Sequence, residues 1–305
     1  MSCDSRRSFS GSSMLSFWEA SRSMKHVEDM QFMVSLEGVI TIHIGQSNCI
    51  HWRDRNDFIL MFREKEGKKY MLYMRNNYAI MWYVELAVTT NMVQHASELF
   101  EKLLRFHQKS IKTLRIKGEA FNMIDFKDMK FVNLQDLHVM GNFDIFSCVS
   151  KTKKVLRTLK TTGGEHRNLL ENWRDIYKIQ DMLIMPGLKL DWMQFQEMSA
   201  STMFIHIGML TIRNILDVIL FWQNGSISKE VKAYVWNLEN SDFDVIELWR
   251  SMGVSENKAV KLAEQEETGT FSFDGKYYYL FQHRIDTNLE AKLASTKSTL
   301  KFLVF

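Results

Sequence analysis

The sequence predicts an α/β protein: an irregular solenoid of short strands and helices, preceded by an N-terminal antiparallel β region and closed by a C-terminal β-hairpin. Three observations carry the prediction. Six segments with an apolar-any-apolar core, centred on Leu114, Leu137, Leu159, Met182, Ile205 and Ala233, recur at steps of 23, 22, 23, 23 and 28 residues. A period of roughly 20–30 residues with one short strand per copy is the mark of stacked repeats, because one copy alone cannot bury its apolar face. Ahead of these segments, apolar runs alternate with polar breaks from residue 30 to about 88, the pattern of an antiparallel meander. Behind them, Asp274-Gly275 separates two strand-like runs, as a tight hairpin requires. An α/β domain with strands at irregular intervals is the alternative that the same apolar doublets allow.

Residues 1–29 stand apart as a residual helical motif or a disordered N-terminus, with helical character at 15–24. The β region, residues 30–93, holds apolar runs at 32–34, 39–42, 58–62 and 70–74. Gly45, Asn48, Asn56 and the turn Glu66-Gly67-Lys68 separate them, and branched and aromatic residues fit a pleated, half-buried surface. From 94 to 108 the period changes to 3.6, and Ala96, Leu99, Phe100, Leu103, Leu104 and His107 fall on one stripe, so this stretch is an amphipathic helix feeding the first repeat strand. The remaining repeats occupy residues 94–305. One copy, with Leu134, Leu137, Val139 and Asn142 at the expected offsets, makes the array leucine-rich-repeat-like.

Helices follow at 165–178, 211–223 and 243–252, the last two stopped by Asn224-Gly225 and Gly253, where glycine accepts the left-handed turn after a helix. The single proline, Pro186, is expected to turn the chain out of the fourth repeat strand. In the tail, 270–273 and 277–281 form the hairpin, with the last strand, 299–305, beside it.

Strand residues between buried positions line up on the opposite face of a sheet. Here they are Arg115, His138, Lys160, Leu183, His206 and Tyr234, with Trp236 next in line. The set is mildly basic with aromatic and aliphatic members, which suits a partner segment of acidic character.

Composition narrows the function classes. With 46 % hydrophobic and 25 % charged residues the chain reads as an ordinary globular protein. A net charge of +3 is small, and the densest basic patch, Lys127, Lys130, Lys151, Lys153 and Lys154, lacks interleaved aromatics, so nucleic acid is not expected. Cys3, Cys49 and Cys148 are odd in number and far apart, which suits a reducing compartment and a cytoplasmic or nuclear location. The stretch 204–222 carries His206, Arg213, Asn214 and Asp217, too polar at its centre for a membrane span. No Gly-rich phosphate loop, His-Glu-x-x-His or nucleophile elbow occurs, and His43, His51, His138, His206 and His283 are isolated. Neither an enzyme nor a cofactor or metal site is expected.

Several segments, in order, resemble a known family. The run from Leu210 through Thr211-Ile212-Arg213-Asn214 to Phe221-Trp222-Gln223-Asn224-Gly225-Ser226 is similar to a helix of the type 2 F-box-associated domain of nematode F-box proteins. Asn172-Trp173, residues 179–184 and Leu190-Asp191-Trp192 upstream match in order, as do Gln282-His283-Arg284-Ile285-Asp286, Ala291 and the closing Phe302-Leu303-Val304-Phe305. The chain departs from the pattern at Leu216, where the family has a polar Asn, and at Thr287-Asn288, which replaces a glycine turn. The resemblance spans residues 110–305 and implies a non-catalytic subunit that holds a protein substrate for a cullin-type ubiquitin ligase. On this resemblance the N-terminal F-box, which in the family binds the Skp adaptor of the cullin, is expected to be truncated or absent. Leu15, Phe17, Trp18 and Met24 are what the resemblance leaves for adaptor contact. A stand-alone interaction or sequestering module that has lost adaptor binding is the other reading.

Overall fold

The computed structural model describes residues 27–35, 39–45, 58–65, 68–75, 78–86, 91–118, 123–140, 146–149, 151–162, 179–227, 230–239, 241–265, 271 and 278–305. The chain is mixed α/β, rich in strands with few helices, and divides into two compact units, Met1–Leu156 and Arg157–Phe305.

In the first unit five strands, β1 (Asp29–Val34), β2 (Ile40–Gly45), β3 (Phe58–Lys65), β4 (Lys68–Arg75) and β5 (Tyr78–Leu86), form the expected antiparallel meander. Helix α1 (Met92–His107) leads to β6 (Thr113–Lys117), then β7 (Asp136–Met140) and the short α2 (Phe146–Val149). The strand order is β7-β6-β1-β2-β3-β4-β5. Strand β1 is antiparallel to β2 and parallel to β6, so the meander and the first two repeat strands share one sheet. The division of the chain into two units falls after Leu156.

Met30, Phe32, Ile42, Ile44, Leu60, Phe62, Leu114, Ile116, Leu137 and Val139 make the buried side of that sheet. The expected stripe of α1 is buried too, with the Phe100 ring 5.1 Å from that of Phe32. Each such side chain contributes about 1.5–3 kcal/mol by leaving water. Helix α1 starts where Asn91 Oδ1 accepts the Val93 N–H at 2.9 Å, satisfying one of the donors that a helix start leaves open. At the end of β6, Gly118 adopts φ +105°, with Val34 so close that an added Cβ would stand 3.0 Å from it.

The second unit contains β8 (Thr158–Thr162), β9 (Met182–Leu190), α3 (Trp192–Gln196), β10 (Thr202–Ile207), α4 (Ile212–Gln223) and β11 (Ala233–Asn237). It continues through α5 (Val245–Ser251), α6 (Glu256–Ala263), β12 (Tyr279–Gln282), β13 (Glu290–Ser295) and β14 (Thr299–Val304). The order is β12-β13-β14-β11-β10-β9-β8, with β8 to β11 parallel and β12 to β14 antiparallel.

The register corrects the even repeat. Leu114 and Leu137 are partners as expected, but in the second unit the partners run Leu159, Leu183, Met203 and Tyr234. These replace Leu159, Met182, Ile205 and Ala233, and the steps become uneven. Strands apolar on both faces read equally well in either phase, and a one-residue slip turns every side chain to the other side. Strand β9 runs on through Pro186, with a register shift between Met185 and Lys189 opposite Ile205 and His206. The bulge absorbs a residue that has no N–H for the ladder.

Helix α4 begins with a reciprocal cap, Thr211 accepting from Asn214 N–H while Asn214 accepts from Thr211 N–H. It ends at Gly225, φ +71°. Ile215, Val218, Ile219 and Trp222 face inward, whereas Leu216 and Leu220 are exposed. In the tail, β13 stands between β12 and β14, a strand the sequence reading lacked. The expected 165–178 helix and the Asp274-Gly275 turn lie outside the described residues.

Candidate functional site

Alternation along each strand gives the first unit a second sheet face, opposite the one that meets α1. Two rows cross it. One runs His138, Arg115, Gln31, His43 and Ile59 from β7 to β3; the other runs Met140, Lys117, Met33, Thr41 and Met61 across the same strands. All ten are half-buried or exposed, Met33 and Met140 by 39 % and 41 %. With neighbouring strands about 4.8 Å apart, five strands span about 19 Å, the length of about six extended residues.

Arg115 Nη1 meets Asp29 Oδ2 at 2.6 Å, and Gln31 Nε2 donates to Asp29 Oδ1 at 3.5 Å, so that carboxylate is held from two strands, while Asp136, in register with Thr113 and Asp29, brings a second carboxylate beside the row. Beside it Lys112 Nζ lies 2.6 Å from Glu28 Oε1. Such half-exposed pairs contribute under about 1 kcal/mol each and set charge positions more than stability. Lys117 is exposed between Met140 and Met33. Flexible thioethers beside fixed positive charge suit an adaptable, non-covalent contact with an acidic, partly apolar chain.

Of the residues expected on a partner face, Arg115 and His138 lie together in the first unit. In the second unit Lys160 is half-buried, in register with Ile184 and Phe204. Four others must be withdrawn from such a face. Leu183, Tyr234 and Trp236 belong to the buried side, with Leu183 fully buried and Tyr234 and Trp236 packed on Phe195 at ring separations of 5.4 and 6.0 Å. His206 is buried as well. For Leu183 and Tyr234 the cause is phase: Leu183 is the register partner of the buried Leu159, and Tyr234 joins that row through Met203. Met33, Lys117, Met140, Ile184 and Phe204 were missed. Met33 had no signal, because the parallel pairing of β1 with β6 brings together residues more than eighty positions apart.

Leu15, Phe17, Trp18 and Met24 lie outside the described residues. Among those described, no three His, Cys, Asp or Glu side chains converge to hold a metal ion. Cys148 is free and buried, and burial pushes its thiol well above the usual range, which suppresses the reactive thiolate. Burial lowers His107 to about 4, so it sits neutral in the core under α1. No described helix is long and apolar enough to cross a membrane. Compared with known protein families, curated proteins and solved structures, the chain matches none.

Proposed function

We propose that this chain is a non-catalytic protein-interaction domain, similar to the substrate-recognition part of an F-box subunit of a cullin-type ubiquitin ligase. The observation that supports recognition is the second sheet face of the first unit, where Lys117, Met33 and Met140 are exposed and Arg115, His138 and Met61 half-buried. In this reading the substrate offers an extended acidic segment with apolar side chains, and it lies across the rows. In this reading the parallel runs β6–β7 and β8–β11 are a degenerate leucine-rich-repeat-like stack, with α3 and α4 among its described connections. The link to the ligase rests on the sequence resemblance alone.

Two measurements on the full chain test the two halves separately. For the ligase half, recombinant Skp adaptor with its cullin is mixed with the chain and with a form lacking residues 1–29. Adaptor retained by the full chain and lost on truncation supports it; no retention by either leaves a stand-alone interaction module. For the recognition half, a fluorescent Asp- and Leu-rich peptide is titrated into the chain. The Lys117→Glu variant should weaken binding about tenfold if its charge contributes ~1.4 kcal/mol. Unchanged affinity with the fold intact would remove the sheet face from the proposal.

A further inference from the structure

Three loops of the first unit carry lysines that the sheet face does not use: residues 108–112 ahead of β6, 127–135 ahead of β7, and 151–155. Lys109, Lys127, Lys130, Lys153 and Lys154 are exposed, and Lys151 is half-buried. Hydrogen bonds stack the loops. Lys130 N–H donates to Gln108 Oε1 at 2.6 Å, and Asn133 Nδ2 donates to the Lys109 carbonyl at 2.7 Å. Phe131 N–H donates to the Lys151 carbonyl and Lys153 N–H to the Phe131 carbonyl, at 3.0 and 2.9 Å, so Phe131 and Thr152 form a parallel bridge. Lys154 Nζ reaches Asn133 Oδ1 at 3.5 Å, which puts Asn133 between Lys109 and Lys154. Ile111, Met129, Phe131 and Leu134 are buried beneath and fix the loops from below.

Backbones paired in this way run about 4.8 Å apart, well inside the screening length of about 8 Å at physiological salt. The ammonium groups therefore repel one another from loop to loop, and a bound polyanion relieves that repulsion. None of these lysines meets a carboxylate among the described residues. Asp128 is the one acid within the loops, while Glu101 and Asp125 beside them hold Arg105 at 3.0 and 3.5 Å, and Glu28 holds Lys112. The lysines alone outnumber the net charge of +3 on the whole chain, so positive field is concentrated here.

The residue types select the polyanion. The loops contain no arginine, and Arg105 is engaged by Glu101 and by the Asp125 and Lys127 carbonyls, so no planar guanidinium is offered to phosphate in bidentate fashion. Phe131, the ring within the loops, is buried and gives a base nothing to stack on. Val155 is the large apolar side chain that the loops expose, short of the Trp, Phe or Leu that seats a protein in a lipid interface. Compact ammonium groups on flexible stems suit the single charges of side-chain carboxylates.

We propose that this patch docks a run of Asp and Glu residues in a partner polypeptide. The run lies across the stacked loops, its carboxylates accepting charge-assisted hydrogen bonds from the lysines. The patch stands at the start of β6 and Lys117 at its far end, so the site depends neither on the sheet face nor on the adaptor.

The test titrates a fluorescent oligoglutamate peptide into the full chain at low and at physiological salt. It should bind, and bind more weakly as salt rises. Lys130→Glu combined with Lys153→Glu, both at exposed positions, should weaken binding about tenfold or more, whereas Lys117→Glu, the same kind of charge change outside the patch, should alter it less than about twofold. Thermal melts check that each variant is folded. Oligothymidylate of equal charge and phosphatidylserine vesicles are titrated alongside, and tighter binding of either would overturn the polypeptide occupant. Equal losses in the double variant and in Lys117→Glu would reduce the patch to a general positive field, and no peptide binding at low salt would remove it. The Asp- and Leu-rich peptide, read at Lys117, is judged separately from each of these outcomes.

Discussion

Ser295 closes a buried junction whose loss can be weighed from its geometry. Trp249 Nε1 on α5 donates to Ser295 Oγ at 3.0 Å, and Ser295 Oγ donates to the Leu262 carbonyl of α6 at 2.7 Å. Both Ser295 and Trp249 are fully buried, so neither the indole nor the carbonyl has water to fall back on. Ser295→Ala removes one oxygen, orphans the indole N–H and leaves the Leu262 carbonyl with the longer bond from Gln265 Nε2 at 3.2 Å. An unmet buried group costs about 1–3 kcal/mol, and the substitution should cost roughly 1–3 kcal/mol. For a unit of this size that is a fall in Tm of roughly 3–10 °C. Urea unfolding followed by tryptophan fluorescence, with thermal melts alongside, measures it. Trp249→Phe supplies the second edge of a double-mutant cycle: with the indole N–H gone, Ser295→Ala removes only the shorter of the two bonds to the carbonyl and should cost about 1 kcal/mol less. Ser251→Ala is the control, because that hydroxyl donates to the Leu248 carbonyl at an exposed position and should change stability by less than about 0.5 kcal/mol. A Ser295→Ala loss under about 0.5 kcal/mol, or an equal loss in both backgrounds, would refute the argument that the hydroxyl serves two buried partners.

His107, buried and lowered to about 4, with Nε2 lacking a partner, should make the chain less stable in acid. In the unfolded chain its imidazole takes a proton near pH 6.5, whereas the folded state resists until about 4. Its contribution is therefore complete above pH 6.5 and lost as pH falls toward 4, by about 2 kcal/mol. His107→Leu should flatten the difference between urea midpoints at pH 7.5 and 4.5, and an unchanged difference would count against it. Among glycines, Gly118→Ala should cost more than Gly253→Ala. Both have positive φ, +105° and +78°, but only Gly118 would press a new Cβ to 3.0 Å from Val34 Cβ. The expected losses are about 2–3 and about 1 kcal/mol, and equal midpoints in denaturant titrations would contradict the steric part.

The candidate face was half legible. Arg115 and His138 come from strands where one flank is plainly apolar and the middle residue plainly polar, Leu114-Arg115-Ile116 and Leu137-His138-Val139, so phase could be assigned without a partner strand. In Met182-Leu183-Ile184 all three are apolar, and periodicity cannot say which faces in. Packing decides there: Leu183 goes under the helices and Ile184 outward. Tyr234 shows what such an error costs. Expected on a docking face, it instead lines the cleft that Phe195 and Phe221 help to build, a cavity between two helices that no single segment announces.

What the sequence by itself determined are the elements that local chemistry dictates. The α1 stripe from Ala96 to His107 follows from a 3.6-residue apolar period, the α4 stop at Asn224-Gly225 from a left-handed glycine, and the meander from strand runs punctuated by turn residues. Only the tertiary structure decided which strands pair and in what register: β1 beside β6, β13 between β12 and β14, the bulge past Pro186. Those choices belong to contacts between distant residues. They are set by which apolar faces can be buried together, a competition settled by packing over the whole unit and invisible to any window along the chain.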